Sequence, residues 1–177
     1  MMKNSKFKSP IIIKEYDTQW PILFENEKEI INKVIGEYIL SIEHIGSTSV
    51  PGLGSKPIID IMIGVSKFED SRKCITPLKT LGYSYVPEFE AEIPGRRFFR
   101  KGTRADATHH IHLVEKDGKF WIDHLLFRDY LRTHPESAKE YYLLKKELAK
   151  KFVNDRDGYV NAKSEFIISI VEKAKHQ

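Results

Sequence analysis

Cysteine and long apolar runs are scarce in this sequence of 177 residues. Cys74 is its single cysteine, which rules out an internal disulfide and a zinc site of the CxxC type. No stretch approaches the ~20 apolar residues that a membrane-spanning helix needs. The opening residues, MMKNSKFKSPIIIKEYD, include basic side chains but neither a long apolar run nor a small-residue cleavage site. We therefore expect a soluble, cytoplasmic protein that does not enter a membrane.

A strong excess of charge of one sign is also missing. The 29 basic and 25 acidic residues leave a formal net charge of +4. So small an excess is compatible with an anionic small-molecule ligand and is too weak to indicate a nucleic-acid-binding protein. The sequence also contains no repeat and no low-complexity linker. Its length suits a single domain over residues 1–177, whose oligomeric state the sequence leaves open.

Hydrophobic periodicity predicts strands early in the chain and helices late, with one further helix in front. The predicted strands cover residues 39–45, 58–65, 83–86, 97–101 and 111–115, and the predicted helices cover residues 17–38, 68–81, 121–132, 135–152 and 159–174. The first helix is expected to bury Leu23, Phe24, Ile30, Ile31, Val34 and Ile35 on one face. This order of elements predicts an α+β fold, with a mixed sheet and helices packed against it.

A polar, glycine-rich loop separates the first two predicted strands. Its first residues, Gly46 and Ser47, allow close approach of a ligand and offer amide N–H groups and a hydroxyl that suit phosphate oxygens. An ordinary tight turn is the alternative interpretation. Asp60 lies in the apolar strand that follows, where an ionised carboxylate is costly unless a cation or several donors meet it. Asp60 therefore either holds a structural hydrogen-bond network or faces a site.

Histidines cluster in the segment THHIHLVE. On a strand, His110 and His112 share a face and can both reach one metal ion or one phosphate. His44, close to the glycine-rich loop, could join them. The alternative is that these histidines line a polar face of the sheet and bind backbone carbonyls. A set of histidine and aspartate ligands would favour Zn²⁺, Mn²⁺ or Fe²⁺ over Mg²⁺, because imidazole is a softer ligand than oxygen.

Basic residues occur beside both features. Lys56 lies at the start of the strand that carries Asp60, and Arg97 belongs to a basic run over residues 96–104. Arginine suits bidentate recognition of phosphate, although a charge run is more often a solvated face. The neighbouring Phe98 and Phe99 indicate a partly buried strand. We therefore expect at least one arginine of this run to face the pocket.

Two other features favour a structural role. Glu43 is predicted to be a surface carboxylate or the partner of a basic residue. The stripe that contains Tyr141, Leu144 and Leu148 has helical spacing and is predicted to be core.

The spacing between the glycine-rich loop and Asp60 resembles that of the nucleotidyltransferase superfamily. There, a hydrophobic-Gly-Gly/Ser sequence precedes a spacer and two carboxylates one residue apart; here 12 residues separate Ser47 from Asp60. The resemblance implies that Gly46 and Ser47 contact a triphosphate and that Asp60 helps to hold Mg²⁺, whose hard charge needs oxygen ligands. The sequence departs from the pattern at Met62, where the superfamily has its second carboxylate.

A closer resemblance extends over almost the whole chain. Five motifs in order resemble the GrpB family, of the UPF0157 type: EHIGSTSVPGLGSKPIIDI, GRRFFRKG, HHIHLVE, LLFRDYLRTHPESAKEYYLLKKELA and Y...K..FI. Since that family is placed in the nucleotidyltransferase fold, the resemblance implies a nucleotidyltransferase-like mixed sheet with a helical C-terminal part. Related domains occur fused to dephospho-coenzyme A kinase in some bacteria.

Together these observations predict a protein that binds a phosphate-bearing small molecule, with a nucleotide as the first choice. The predicted roles are catalysis by Asp60 and His112, phosphate binding by Gly46, Ser47, Thr48, Lys56 and Arg97, and metal binding by Asp60, His110 and His112. The metal would be Mg²⁺ or Mn²⁺, with Zn²⁺ as a further candidate, and would support transferase activity. Two alternatives stay open: an inactive nucleotide-sensing or partner-binding module, favoured by Met62, and a metal-dependent hydrolase built on His110, His112 and Asp60.

Overall fold

A five-stranded mixed sheet forms the centre of the chain, which a computed structural model describes from residue 10 to residue 177. The strands are β1 (Ser41–Ile45), β2 (Ile59–Val65), β3 (Tyr83–Tyr85), β4 (Arg96–Lys101) and β5 (His109–Glu115). They lie in the order β1-β2-β5-β4-β3, in which β2 and β5 are parallel and the other neighbours antiparallel. The predicted single domain is thus described without residues 1–9, the basic opening segment.

Seven α-helices among the described residues flank this sheet. They are α1 (Gln19–Ile35), α2 (Ile75–Thr80), α3 (Glu88–Glu92), α4 (Lys119–Thr133), α5 (Pro135–Lys151), α6 (Arg156–Asn161) and α7 (Ser164–Lys175). The mixed sheet, its flanking helices and the helical C-terminal part confirm the predicted α+β class. Within residues 10–177, none of the helices is both long enough and apolar enough to span a membrane.

The two faces of the sheet pack against different helices because side chains alternate along each strand. Ile59, Ile61 and Ile63 of β2 face the larger core, where they pack with residues of α1 and α2. Met62 faces the other side and packs against Trp121 of α4. Asp60 shares that second face, so the predicted site lies between the sheet and the C-terminal helices.

Helix α1 corrects part of the predicted apolar stripe. Phe24, Ile31 and Ile35 are buried as expected, whereas Leu23 and Ile30 are 45% and 40% exposed. The buried face instead includes Trp20 and Glu27, which continue the helical spacing of residues 24, 31 and 35. Leu23 and Ile30 each precede a buried residue by one position, so they lie beside the buried face and not on it.

Two predicted helices also differ from the structure, which contains one further, unpredicted helix. Residues 159–174 form two helices, α6 and α7, rather than one, and α3 was not predicted. Residues 68–81 form a 3-10 segment, Phe68–Cys74, followed by α2. Pro77 lies in the first turn of α2, where its missing N–H has no helical partner to lose. Pro77 is therefore tolerated in this short second helix, which begins two residues earlier at Ile75.

Candidate functional site

A cavity of about 520 Å³ lies between the second face of the sheet and the C-terminal helices. The sheet side supplies Ile45, Gly46, Ser47, Ser55, Lys56, Ile58, Asp60, His110 and His112, and the helical side supplies Lys119, Asp123, His124, Phe127, Tyr141, Lys145, Tyr159, Val160, Lys163, Ile167, Ile168, Val171, Glu172 and Lys175. The tertiary structure thus brings the glycine-rich loop, the lone aspartate and two histidines to the wall of one cavity.

Gly46 and Asp60 are in direct contact at one end of this cavity. The antiparallel register pairs Ile45 with Asp60, so the loop leaves β1 beside the carboxylate. Gly46 has a φ of +71°, and a Cβ at this position would lie 2.7 Å from Asp60 Oδ2. Ser47 follows in a 3-10 turn, and Ser49 Oγ donates a hydrogen bond of 2.6 Å to the Gly46 carbonyl. Only glycine permits both this backbone conformation and this close approach.

The parallel pairing of β2 with β5 places two histidines beside Asp60. Asp60 is opposite His110 in the register, and Met62 is opposite His112. His110 Nδ1 lies 3.1 Å from Asp60 Oδ1, and His112 Nε2 lies 3.6 Å from the same oxygen. One carboxylate oxygen therefore faces both rings.

The electrostatics of this trio favour an ionised aspartate. Burial on its own raises the pKa of Asp60, but the contacts with His110 and His112 outweigh it and hold the pKa below the usual range. Burial lowers the pKa of His112, against the opposing effect of Asp60. Burial and the neighbouring His112 lower the pKa of His124 to about 4, so this third ring is neutral.

Three lysines from different parts of the chain line the cavity: Lys56 before β2, Lys145 on α5 and Lys163 between α6 and α7. Lys145 is only 2% exposed, and its Nζ donates a hydrogen bond of 2.6 Å to the Gly54 carbonyl. Burial, Lys163 and Lys56 lower the pKa of Lys145 to about 7. Burial and Lys56 lower that of Lys163 to about 8, although Asp60 opposes this shift. The pKa of Lys56 is lowered as well, first by burial and then by Arg156.

These lysines contact aromatic rings and form no salt bridge with a carboxylate among residues 10–177. Lys163 Nζ and Lys56 Nζ lie 4.5 and 5.4 Å from the ring centroid of Tyr159, and Lys145 Nζ lies 4.9 Å from that of Tyr141. Cation–π contacts offset only part of the cost of burying an ammonium group.

Two predicted residues of the loop region lie outside the cavity. Thr48 is 1% exposed, and its hydroxyl contacts His44 Nε2 at 3.0 Å and the Ile58 carbonyl at 3.2 Å. His44 pairs with Ile61 in the register and stacks on Phe24, so it lies on the other face of the sheet from Asp60. Burial lowers the pKa of His44 to about 4. The Thr48 hydroxyl is therefore directed away from the cavity, and phosphate binding by Thr48 stays a prediction. The prediction that His44 joins the histidine cluster is wrong.

Arg97 is the third predicted residue that the structure places elsewhere. It pairs with Leu113 and therefore projects from the face opposite His110 and His112. Its guanidinium lies 3.2 Å from a Glu90 carboxylate oxygen and donates to the Phe68 carbonyl at 3.0 Å. Glu90 thus neutralises Arg97, which is not among the residues that line the cavity, so its position gives no support to the prediction that Arg97 binds phosphate.

Glu43 has the structural role that the sequence favoured. Arg128 Nη1 of α4 lies 2.8 Å from Glu43 Oε2 and donates also to the His44 carbonyl at 3.1 Å. The carboxylate on β1 thus connects the sheet to α4, and the prediction of a basic partner is confirmed.

The donor set does not fit the predicted metal centre. No group of three or more His, Cys, Asp or Glu side chains within residues 10–177 is arranged to hold a metal ion. Asp60 is a single carboxylate whose Oδ1 already meets two histidine rings. Met62 is 0% exposed and packs with Ile45, Val114 and Trp121, so the position of a second carboxylate is part of an apolar cluster. The divalent metal stays a prediction of the sequence.

The helical side of the cavity contains the residues that sequence reasoning missed. Tyr141 and Leu148 are buried as predicted, but Tyr141 also lines the cavity, together with Lys145 one turn later. The sequence did contain a signal for these two lysines, because each lies among apolar residues of a predicted helix. Lys163 lies within the helix predicted over residues 159–174, at helical spacing from the apolar residues Val160, Phe166, Ile167 and Ile170, and Lys145 lies between Tyr141 and Leu148 on a buried face. A lysine on an apolar face indicates either a snorkelling side chain or an anion site.

The sheet and helices are shared with distantly related solved structures. Terminal uridylyl transferase 4 from Trypanosoma brucei, solved with bound UTP, superimposes with a TM-score of 0.52 at 14% identity over 92% of this chain and 53% of that chain. Identity this low shows a common fold alone. The fold is thus nucleotidyltransferase-like.

Much closer relatives share both sequence and structure. The crystal structure of the conserved protein GrpB from Enterococcus faecalis has a TM-score of 0.83 at 38% identity, covering 92% of this chain and 96% of that one. The glutamate-rich protein GrpB of Alkalihalophilus pseudofirmus is 38% identical over 170 residues, covering 94% of this chain and 97% of that protein. The UPF0157 protein YqkA of Bacillus subtilis is 43% identical over 160 residues, and the chain spans only 46% of its length. The family model described as GrpB protein matches residues 10–173, and the chain therefore belongs to the GrpB family.

Proposed function

We propose that the cavity binds the phosphate groups of a small molecule, with a nucleoside triphosphate as the first choice. The observation that carries this proposal is the set of three lysines, Lys56, Lys145 and Lys163, which line one cavity without a carboxylate partner in the described chain. Buried ammonium groups are retained at such a cost mainly where an anion meets them.

Two further observations support a phosphate as that anion. The Gly46–Ser47 turn offers a close backbone approach and a hydroxyl to the same cavity. Lys119 and Lys175, which also line it, are paired with Asp123 and Glu172, so the unpaired positive charge is confined to the other three lysines. The shared fold with a uridylyl transferase solved with UTP motivates the choice of nucleotides as probes.

A nucleotidyl transfer of the two-metal type is not part of the proposal. That reaction needs two carboxylates on one strand face. Met62 replaces one of them and is enclosed between the sheet and Trp121. The arrangement favours a nucleotide-binding site that works without a carboxylate pair.

The test is a binding measurement with matched variants on one helix. UTP, ATP and inorganic tripolyphosphate are titrated into the protein, with and without Mg²⁺, Mn²⁺ or Zn²⁺, by calorimetry and thermal shift. We expect binding without added metal, and a loss of affinity of about tenfold or more in Lys145→Met, since a charge-assisted contact contributes about 1.5–3 kcal/mol. Lys163→Met should behave likewise.

The neighbouring residue Lys146 supplies the control. It is exposed and does not line the cavity, so Lys146→Met removes the same charge from the same helix without changing the site. Equal losses in Lys145→Met and Lys146→Met would indicate a non-specific charge effect. Stabilisation by none of the three phosphate compounds would overturn the proposal.

A further inference from the structure

The two histidines beside Asp60 have different sets of hydrogen-bond partners. Both face Asp60 Oδ1, but only His112 has a second partner among residues 10–177. This difference determines which ring nitrogen carries a proton, because an arginine can only donate and an ionised carboxylate can only accept.

His112 has partners at both ring nitrogens. Arg96 Nη1 lies 3.5 Å from His112 Nδ1, so this nitrogen is the acceptor and the proton of the neutral ring is on Nε2. Nε2 in turn lies 3.6 Å from Asp60 Oδ1. Arg96 is only 8% exposed, and its guanidinium lies 5.4 Å from the ring centroid of Phe98 and 5.9 Å from that of Phe120. Packing therefore holds the arginine against His112.

His110 has a partner at one ring nitrogen. Its Nδ1 lies 3.1 Å from Asp60 Oδ1 and therefore carries a proton. In the neutral ring Nε2 then has a lone pair, and none of the described residues donates a hydrogen bond to it. The side chain is 22% exposed and lines the cavity. Phe98 packs against the ring at a centroid distance of 4.9 Å and helps to fix its orientation.

We propose that Asp60 and His110 form a hydrogen-bonding pair that acts without a metal ion, in which His110 Nε2 accepts a hydrogen bond from a hydroxyl group on the bound phosphate ester. Asp60 is the positioning residue that holds the His110 tautomer, whereas His112 is oriented by Arg96 and lies 3.6 Å from Asp60 Oδ1. This inference rests on the proposed phosphate-binding function, and it assigns the accepting nitrogen to His110 rather than to His112.

The hydrogen bond needs no further group of the site. The ligand hydroxyl donates to the lone pair of His110 Nε2 while its O–H bond stays intact, and the Asp60 carboxylate accepts a hydrogen bond from His110 Nδ1. Nucleosides and sugar phosphates carry such hydroxyls, whereas inorganic tripolyphosphate has none.

The first test measures tautomers in the ligand-free, wild-type protein. Two-bond ¹⁵N–¹H correlation spectra of EDTA-treated protein at about pH 8, where an ordinary imidazole is neutral, identify the protonated nitrogen of each histidine. We expect protonation of Nδ1 in His110 and of Nε2 in His112. Protonation of Nε2 in His110 would overturn the inference, and so would one equivalent of co-purified transition metal bound at that nitrogen.

Variants separate the two histidines. In Arg96→Met, His112 should lose its tautomer preference while His110 keeps Nδ1–H. In Asp60→Ala, His110 should instead become a mixture of tautomers. A His110 spectrum that is unchanged in Asp60→Ala would show that Asp60 does not position this ring. Because the main measurement uses the wild-type protein, poor folding of a variant does not remove the test.

The ligand arm distinguishes this inference from the proposed function. UTP should shift the ¹⁵N resonance of His110 Nε2 and slow its acylation by diethyl pyrocarbonate by about fivefold or more, the effect of one hydrogen bond of about 1 kcal/mol. Tripolyphosphate should bind without either effect. If both compounds bind and neither affects Nε2, the hydrogen-bond-accepting role of His110 is wrong but phosphate binding stands. If neither compound binds, the proposed function fails.

Discussion

Single residues decide how closely the loop and the strand of the site approach each other. Gly46 combines a φ of +71° with a contact to Asp60 that leaves no space for a side chain. Met62 occupies an apolar cluster on the same sheet face as Asp60. For both residues, a matched control variant separates the effect of the specific contact from the general cost of a substitution.

Gly46→Ala is expected to destabilise the protein by about 2–4 kcal/mol, because the new Cβ meets Asp60 Oδ2 and a positive φ is strained in any L side chain. Gly52 has a φ of +79° with nothing within 4 Å of its Cβ position. Gly52→Ala should therefore cost only the strain, about 1 kcal/mol. Urea unfolding measures both. Equal losses would mean that the contact with Asp60 contributes nothing.

Met62→Asp is expected to destabilise the protein by about 3 kcal/mol or more rather than to create a carboxylate pair, because Met62 is 0% exposed. Met62→Leu keeps the apolar volume and should cost less than about 1.5 kcal/mol. Denaturant unfolding compares the two variants. A folded Met62→Asp protein of wild-type stability would show that this position can reach water or a cation.

At the scale of elements, the connection between β1 and α4 covers one side of the site. Arg128 reaches from α4 to the Glu43 carboxylate and the His44 carbonyl, with only 11% of its side chain exposed. Partly buried charge-assisted hydrogen bonds of this kind contribute more than exposed ion pairs do. The contact therefore helps to hold α4 over the sheet.

Arg128→Ala is expected to lower the free energy of unfolding by about 1–3 kcal/mol, and a double-mutant cycle with Glu43→Gln should give a coupling of about 1 kcal/mol. The exposed pair of Glu25 and Lys28 in α1, at 3.6 Å, is the comparison. Its coupling should stay below about 0.5 kcal/mol. Similar couplings in the two cycles would contradict a special role for Arg128.

At the scale of the whole molecule, the sheet and the C-terminal helices together produce a pH-dependent site. Lys145 belongs to α5, Lys163 lies between α6 and α7, and Asp60 belongs to β2. Enclosure between these layers lowers the pKa of the two lysines to about 7 and about 8. A bound phosphate would raise both values, because an opposite charge favours the ammonium form.

Nucleotide affinity is therefore expected to be highest below about pH 7 and to fall as the pH rises through about 8, by up to tenfold per unit for each lysine that must take up a proton. Calorimetry in buffers of different ionisation enthalpy measures the affinity and the proton uptake together. Lys145→Met should give a flatter profile. An affinity that rises with pH would contradict the assignment.

The stability of the ligand-free protein should change in the opposite direction. The unfolded chain keeps these lysines protonated up to their ordinary pKa of 10.5, so it binds more protons than the folded chain above about pH 7. Their contribution to the free energy of unfolding therefore rises with pH from about 7 to about 10.5. Comparing urea unfolding of the wild-type protein and Lys145→Met across this range isolates the effect of Lys145.

Much of the fold and part of the site follow from local sequence patterns. The apolar run of β2 and the alternation in β5 predict both strands, and the resemblance of the Gly46, Ser47 and Asp60 spacing to that of nucleotidyltransferases implies their association. Because successive side chains of a strand point to opposite faces, His110 and His112 must share a face. Strand formation and face alternation depend on residues that are close in sequence, so a single sequence is enough to predict them.

Only the tertiary structure decided which faces meet. The register of β4 against β5 sends Arg97 away from the pocket, and that of β1 against β2 does the same to His44. The packing of the C-terminal helices brings Lys145 and Lys163 to the cavity that Asp60 also lines, although both lysines are far from Asp60 in sequence. The sequence determined the strands, the glycine turn and the lone carboxylate, because these depend on local geometry and burial. The meeting of Lys56, Lys145 and Lys163 in one cavity depended on long-range packing, which local sequence patterns do not predict.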